Sequence, residues 1–532
     1  MHLKKIKLDS SVACIFVYTN TLLIKSNFVN WIKRLLPLLL IIVLKHTGCF
    51  IIPSSLSAME SIEQKIDKTI QPIVAALSSV IFYKPFTSYG FDIKIVVLWL
   101  MLGAIFFTLY FKFINIRLFK LAIDITRGKY DKKESKGEVS HFQALMTALS
   151  GTVGLGNISG VAVAISLGGA GATFWMIVAG LLGMTSKFVE CTLGVKYRHI
   201  NNHGEVSGGP MYYLPLGLEK HGMKKLGKVL GIIFAILCVG GSIGGGNMFQ
   251  ANQSYAQLSS VFPQFAHNGF AFGVLLAIFV GIVIVGGIKK IANVTDKLVP
   301  LMVTIYLIFG LIIIGINIGQ IDEAIVKIIS GALSIKALFG GAAGAIAVGF
   351  QRAAFSNEAG VGSAAIAHSA VKTDEPLTEG IVSLLEPFID TVLICTMTAL
   401  IIIFTGFDAA DASLTGSQLT SAAFSSVLPW FKYVLTIAIL FFAYSTMISW
   451  SYYGLKAWTF LFGETKKMKL TYNLIYLSFV VIGSSASLAN VMEFSDMMIL
   501  AMAFPNILGL YILAPEVKRD LTIYLSNLKP LK

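Results

Sequence analysis

FQALMTALSGTVGLGNISGVAVAIS, residues 142–166, is the stretch of this sequence that decides the fold. It is too apolar for a soluble loop and too rich in glycine for an uninterrupted helix. Within ten positions it contains Gly151, Gly154, Gly156 and Gly160. Each glycine costs about 1 kcal/mol relative to alanine in a helix interior. The stretch therefore predicts a membrane helix that is broken near its middle.

A break in a membrane helix leaves backbone groups without partners, so it persists only inside protein or beside a polar cavity. Unwound carbonyls at 150–156 would face a cation. The N–H groups that begin the second half-helix near Asn157 would face an anion. One site could then hold both charges of a zwitterion and a metal ion. For Gly160, close packing against a neighbouring helix is the simpler explanation.

The composition places the whole chain in a membrane. Of its 532 residues 55% are hydrophobic and 13% are charged, and the mean hydropathy is +0.77. Soluble domains contain about 25% charged residues. The net charge of +14 does not indicate a nucleic-acid partner, because lysine and arginine lie in short segments between apolar runs. The five cysteines show no CxxC spacing, so neither a disulfide framework nor a metal site is implied.

Eleven apolar runs are near the length of about 20 residues that a helix needs to cross a bilayer. We therefore expect an all-α polytopic membrane protein. The run at 336–367 is too long for one plain span and is the second run rich in glycine. The runs are 93–113, 143–167, 173–194, 228–250, 269–287, 297–317, 336–367, 380–405, 430–455, 470–488 and 493–514.

The two glycine-rich runs suggest an internal repeat. If the first helix is set aside, they are the first and sixth of the remaining ten, as in two five-helix repeats of opposite orientation. We place the membrane domain at 93–515, with repeats at 143–317 and 336–514, and a cytoplasmic tail at 516–532. Residues 61–92 are predicted to form an external amphipathic segment. Residues 1–60 resemble either a signal peptide or an additional membrane helix.

Basic residues predict the orientation. Lysine and arginine follow the first, third, fifth, seventh and ninth runs and end the chain, despite Lys327, Lys336 and Lys432 on the other side. Segments rich in these residues stay in the cytoplasm. We expect a multi-pass protein of the plasma membrane, the inner membrane where a cell has two. The N-terminal flank of its first membrane helix is outside and its C-terminus is cytoplasmic.

Four longer motifs resemble the alanine or glycine:cation symporter family over residues 62–515. They are ALSGTVGLGNISGVA at 148–162, SGGPMYYL at 207–214, QRAAFSNEAGVGSAAIAHSAVKTDEP at 351–376 and FFAYSTMISWSYYG at 441–454. The segment VGLGN at 153–157 also resembles the neurotransmitter:sodium symporters, which share the LeuT-type fold. The resemblance implies sodium-coupled uptake of small neutral amino acids, alanine or glycine, by alternating access. It implies no cofactor.

The resemblance also implies a sodium site between the first broken helix and the ninth membrane helix. Carbonyls near Ser150 and Val153 would act with the hydroxyls of Ser445 and Thr446. The alternative for both hydroxyls is a hydrogen bond back to their own helix, which is the ordinary state of serine and threonine in a membrane helix.

The implied substrate site combines both breaks with the ninth membrane helix. Thr446 and Trp450 are four residues apart and share a helix face. Two bulky aromatic rings leave room for little more than a methyl group, although a single aromatic side chain is more often part of the core. The expected lining is Gly154, Gly156, Asn157, Phe355, Asn357, Thr446 and Trp450. Of these, the resemblance supports Asn157, Phe355, Thr446 and Trp450 most strongly.

Several alternatives stay open at this point. A proton-coupled permease of the same fold would need an ionisable residue where Ser445 and Thr446 stand, and a channel would need symmetric copies around a pore. An enzyme is disfavoured because the chain has no nucleophile elbow, HExxH motif or phosphate loop. Arg352 and Glu358 could form a gate pair, or they could pair with each other at a membrane boundary without gating. The expected partners are sodium, a small neutral amino acid and the lipid bilayer, and a monomer is expected.

Overall fold

The computed structural model describes residues 93–130, 135–334, 344–409 and 414–528, together with residues 72, 75, 76 and 78–85. The predicted N-terminal extension at 1–60 lies outside these residues. So do most of the segment 61–92 and the first part of the run 336–367.

Helices dominate the described part of the chain. The main ones are α1 (Ile95–Tyr110), α2 (His141–Thr152), α3 (Gly156–Gly168), α4 (Gly171–Lys196), α5 (Lys224–Val261), α6 (Gly269–Ile284), α7 (Gly287–Ile316), α8 (Ala345–Asn357), α9 (Ala364–His368), α10 (Pro376–Phe404), α11 (Phe431–Phe462), α12 (Lys466–Ser485) and α13 (Leu488–Asn527). Shorter helices are Ile114–Arg117, Phe119–Thr126, Pro210–Lys220, Pro263–Phe265, Ile318–Gln320, Ile321–Leu333, Phe407–Ala409 and Gly416–Val427.

One small hairpin interrupts the helices. Strand β1 (His199–Ile200) pairs antiparallel with β2 (Val206–Ser207), with His199 opposite Ser207. Val139 also forms a parallel bridge with Val371. These few bridges join the ends of membrane helices and add no layer to the fold.

The helices confirm the predicted class, an all-α polytopic membrane protein. In the described residues six helices (α4, α5, α7, α10, α11 and α13) are long and apolar enough to cross a membrane, or seven if α2 and α3 count as one bent span. Each of the eleven predicted runs overlaps at least one helix of the described residues. The ranges of the two predicted repeats correspond to α2–α7 and α8–α13. The inverted relation of the two repeats stays a prediction.

Both breaks occur inside the glycine-rich runs. Helices α2 and α3 meet at an angle of 50°. Helix α8 ends where Glu358 takes the left-handed conformation, with φ 57°, and Gly360 and Gly362 follow with φ 85° and 93°. Only glycine adopts such angles without strain. The chain therefore cannot resume a helix before Ala364.

Three helices lie in segments that hydropathy alone assigns to connections: Pro210–Lys220, Ile321–Leu333 and Gly416–Val427. Helix Gly416–Val427 buries Leu419 and Phe424, and its Thr420 hydroxyl donates to the Ile158 carbonyl at 3.0 Å. Short helices with one buried face escape a search for long apolar runs. This one covers the start of α3.

Glycine permits α12 to approach α5 closely. A Cβ atom added at Gly483 would lie 2.5 Å from the Cα atom and 2.8 Å from the carbonyl oxygen of Met248. Both neighbours are backbone atoms and cannot rotate away. At Gly315 in α7, by contrast, an added Cβ atom would have no described neighbouring atom within 4 Å.

We expect Gly483→Ala to lower the melting temperature of the purified protein, because overpacking costs about 1–3 kcal/mol. The matched control Gly315→Ala adds the same methyl group in open space, where alanine favours the helix by about 1 kcal/mol. Thermal unfolding in detergent measures both. A Gly483→Ala protein as stable as the control would contradict this account of the contact.

Candidate functional site

A small cavity, lined by buried residues, lies where the two breaks meet α5 and α11. Its volume is about 10 Å³, which is the space of about one water molecule. An amino acid can enter only if the surrounding helices move. The lining residues are Gly151, Thr152, Gly156, Gly245, Gln250, Phe355, Glu358, Thr446, Trp450 and Ile499.

Larger clefts of about 800 and 450 Å³ open near helix ends. Neither is lined by a residue that the sequence places in the site. The small cavity is the one that brings predicted residues together, because it contacts Gly156, Phe355, Thr446 and Trp450.

The first break is held by side chains of its own and neighbouring helices. Asn157 Oδ1 accepts a hydrogen bond from the Gly154 N–H at 2.9 Å. Gln250 Oε1 accepts from the Leu155 N–H at 3.1 Å, and Gln250 Nε2 donates to the Gly245 carbonyl at 2.9 Å. Two N–H groups freed by the break therefore find side-chain acceptors. Gln250 therefore belongs to the site, although it lies outside the sequence motifs that indicate the site.

Asn157 is placed beside the cavity and does not line it. Its Nδ2 group donates to the carbonyl and to Oδ1 of Asp390, at 3.0 and 2.7 Å. Asp390 is fully buried and also accepts from the hydroxyls of Ser356, at 2.9 Å, and Thr391, at 2.7 Å. The side-chain amide of Asn157 therefore forms its hydrogen bonds with other groups of the protein. It joins α3 to α10.

Asn357 is likewise placed away from the cavity. Its Nδ2 group donates to the Thr391 hydroxyl at 2.9 Å, and its Oδ1 atom accepts from the Ala359 N–H at 2.9 Å. Asn157 and Asn357 therefore hold the ends of the two broken helices against α10.

Gly154, which the sequence also places in the site, does not line the cavity. It packs against Thr446 instead, because an added Cβ atom would lie 2.3 Å from Thr446 Oγ1.

The structure brings the predicted sodium ligands of α2 and α11 together. The Thr446 hydroxyl donates to the Ser150 carbonyl at 3.0 Å, and the Ser150 hydroxyl donates to the Ser445 carbonyl at 2.7 Å. The Ser445 hydroxyl also bonds back to its own helix, which is the alternative expected from the sequence. It donates to the Phe442 carbonyl at 2.9 Å. Val153 ends α2 and is fully buried. These groups supply neutral oxygen atoms, as a sodium ion requires.

The gate pair suggested for Arg352 and Glu358 is wrong. Arg352 forms an ion pair with Asp496 of α13. Glu358 instead accepts a hydrogen bond from Trp450 Nε1 at 3.0 Å and another from the Ser363 hydroxyl. The left-handed turn at Glu358 directs its carboxylate toward α11, whereas Arg352 faces α13. Sequence spacing could not reveal the turn.

Several other charged side chains inside the helix bundle form ion pairs with one another. Lys187 of α4 donates to Glu386 of α10 at 3.0 Å, and both side chains are fully buried. Glu379 of α10 forms ion pairs with His368 and His141. This cluster connects α2, α4, α9 and α10 below the two breaks. A buried pair is costly to separate because the remaining charge has no partner.

Comparison with known proteins places the chain in a family. The sodium:alanine symporter family model matches residues 77–532. The sodium/alanine symporter AgcS of Methanococcus maripaludis is 43% identical over 422 residues, which are 79% of this chain and 91% of that protein. The probable sodium/glutamine symporter GlnT of Bacillus subtilis is 33% identical over 439 residues, 82% of this chain and 89% of that protein.

A solved structure supports the same conclusion for the fold. The crystal structure of MhsT in complex with L-phenylalanine superimposes with a TM-score of 0.50 at 17% identity, covering 74% of this chain and 99% of that one. At this identity the likeness concerns the fold alone, which is the predicted LeuT type. The chain belongs to the sodium:alanine symporter family and is a multi-pass membrane transporter that couples a cation to an amino acid.

Proposed function

We propose that this chain is a sodium-coupled symporter that takes up a small neutral amino acid, alanine or glycine, by alternating access. The observation that carries the proposal is the small buried cavity between two broken helices, with Thr446 and Trp450 of α11 on its wall. The family, and the AgcS relative described as a sodium/alanine symporter, support the same assignment.

We place the sodium ion between α2 and α11. Thr446 and Ser150 already approach within 3.0 Å. A cation between them would accept oxygen lone pairs from the Ser150 and Val153 carbonyls and from the hydroxyls of Ser445 and Thr446. To do so, Ser445 must release its bond to the Phe442 carbonyl. Sodium binding would thereby join the first break to the opposite helix.

We place the substrate carboxylate at the beginning of α3. Gly156 both starts this helix and lines the cavity. A helix N-terminus carries a partial positive charge, and its first N–H groups have no partner within the helix. Gly154 and Asn157 act on this end indirectly, through the bond between the Gly154 N–H and Asn157 Oδ1.

We assign size selection to Phe355 and Trp450. Both rings line the cavity and both are buried. The Phe355 ring packs edge-on against Phe249, with centroids 5.4 Å apart, and the Arg352 guanidinium lies 5.3 Å from its centroid. Contacts on several sides hold the ring in place. The pocket would therefore favour a methyl side chain or none.

For sodium coupling, we expect Thr446→Val to preserve the shape of α11 but to remove one ligand oxygen. The sodium concentration for half-maximal alanine uptake should rise about tenfold, which corresponds to about 1.4 kcal/mol. Uptake into proteoliposomes at graded sodium concentrations measures the change.

Thr459→Val is the matched control for Thr446→Val, because the Thr459 hydroxyl donates back to the Lys456 carbonyl of the same helix, at 3.2 Å, and to no other described residue. It should leave sodium dependence unchanged. Unaltered sodium dependence of Thr446→Val would show that the ion binds elsewhere.

For size selection, we expect Phe355→Ala to let valine and leucine compete with labelled alanine, and to weaken alanine binding. Each lost methylene contact is worth about 0.8 kcal/mol, which is about fourfold in affinity. Phe279→Ala is the control, because Phe279 is 53% exposed on α6. If valine and leucine compete no better with Phe355→Ala than with wild type, Phe355 does not limit the pocket.

We also propose the orientation that the basic residues predict, with the C-terminus in the cytoplasm. Gln320, after α7, and Ser526, near the end of α13, are both exposed. In intact cells a membrane-impermeant maleimide should label Gln320→Cys, and it should label Ser526→Cys only after permeabilisation. Labelling in the reverse pattern would invert the assignment.

A further inference from the structure

The cavity contains a carboxylate to which no role has yet been given. Among the described residues that line it, Glu358 is the one with an ionisable side chain. Its side chain is 1% exposed. We propose that the Glu358 carboxylate binds the ammonium group of the transported amino acid. This inference rests on the proposed function and names the substrate group that one residue recognises.

Two hydrogen bonds hold the Glu358 carboxylate in place, and the carboxylate can accept further hydrogen bonds. Trp450 Nε1 donates to its Oε1 atom at 3.0 Å, and the Ser363 hydroxyl donates to its Oε2 atom. An ionised carboxylate accepts about four hydrogen bonds. Two bonds fix its direction toward the cavity wall shared with Trp450, and the remaining lone pairs are available to an ammonium group.

Glu358 has no close ion-pair partner of its own among the described residues. Within the described ranges, no lysine, arginine or histidine forms an ion pair with it. Arg352 pairs with Asp496. Lys187 attracts the Glu358 carboxylate electrostatically, but its ammonium group pairs with Glu386. A buried carboxylate without a close ion-pair partner is costly, and at membrane depth it indicates a functional site. A substrate ammonium group supplies the missing partner.

The position of Glu358 is also compatible with a separate position for the substrate carboxylate in the same cavity. Gly156, at the start of α3, lines the same cavity and favours the substrate carboxylate. The two substrate charges would then contact the two different breaks, one on α3 and one directly after α8. A substrate bound in this way holds both broken helices together, which is what closure of the cavity requires.

Asn157 is a weaker candidate for the ammonium group, although its side-chain carbonyl is of the right type. Its Oδ1 atom already accepts from the Gly154 N–H, and its Nδ2 group donates to Asp390. Gln250 is similarly used, because its Oε1 atom accepts from the Leu155 N–H. Both amides are occupied in holding the first break.

The test compares Glu358→Gln with wild type in proteoliposomes containing the full chain. Hydrogen bonds to charged groups contribute about 1.5–3 kcal/mol. The KM for alanine should therefore rise about 10- to 100-fold. The half-saturating sodium concentration, measured at saturating alanine, should stay within about twofold. Glu358→Asp retains the charge and should recover part of the affinity for alanine.

Isobutyrate gives a second readout that a purely structural role would not change. It has the size of alanine, with a methyl group in place of the ammonium group. The preference for alanine over isobutyrate in competition should fall about 10- to 100-fold in Glu358→Gln. Ser363→Ala, which removes one supporting hydroxyl and keeps the carboxylate, should change this preference less than tenfold.

The outcomes separate this inference from the proposed function. If wild type takes up alanine with sodium but Glu358→Gln has an unchanged KM for alanine, the ammonium assignment is wrong and the symport proposal stands. Parallel rises in the alanine and sodium constants, with an unchanged preference over isobutyrate, would make Glu358 a structural residue. If wild type shows no sodium-dependent alanine uptake, both proposals fail. Should Glu358→Gln not reach the membrane, Glu358→Asp provides the same readouts with a smaller shift.

Discussion

The structure depends on how backbone groups are satisfied where a membrane helix is broken. At membrane depth no water is available, so each freed N–H or carbonyl group needs a protein or ligand partner. Around the first break the partners are side chains: Asn157 accepts from Gly154, Gln250 accepts from Leu155, and Thr446 donates to the Ser150 carbonyl. Three helices are thereby joined at one point, and the cavity lies at that point.

The second break is built by different means. Left-handed angles at Glu358, Gly360 and Gly362 turn the chain, and the exposed end is tied to α10 through Asn357. Helix α10 serves both breaks, since Asp390 also receives the amide of Asn157. The π-helical turn at Phe388–Cys395 lies at this junction, and π-helical turns are frequent at functional sites. A movement of α10 would thus reach both halves of the cavity at once.

The small size of the cavity has a consequence for transport. A space of about 10 Å³ holds no amino acid, so binding and release need a different arrangement of the helices. The buried pair of Lys187 and Glu386, with the ion pairs of Glu379 to two histidines, connects α2, α4, α9 and α10. These contacts resist separation of the helices that surround the breaks. Alternating access in a fold of this kind moves groups of helices as units around a fixed site.

The sequence by itself determined the membrane class, the helical runs and the positions of both breaks, because hydropathy and the helix cost of glycine are local properties. It also indicated Gly156, Phe355, Thr446 and Trp450, which the structure brings to one cavity. Tertiary structure decided which side chains meet. Asn157 binds Asp390 across 233 positions, and Arg352 pairs with Asp496 across 144. Glu358 faces Trp450 because a left-handed turn reverses its direction. Such pairings depend on how helices are turned against one another, which no local pattern records.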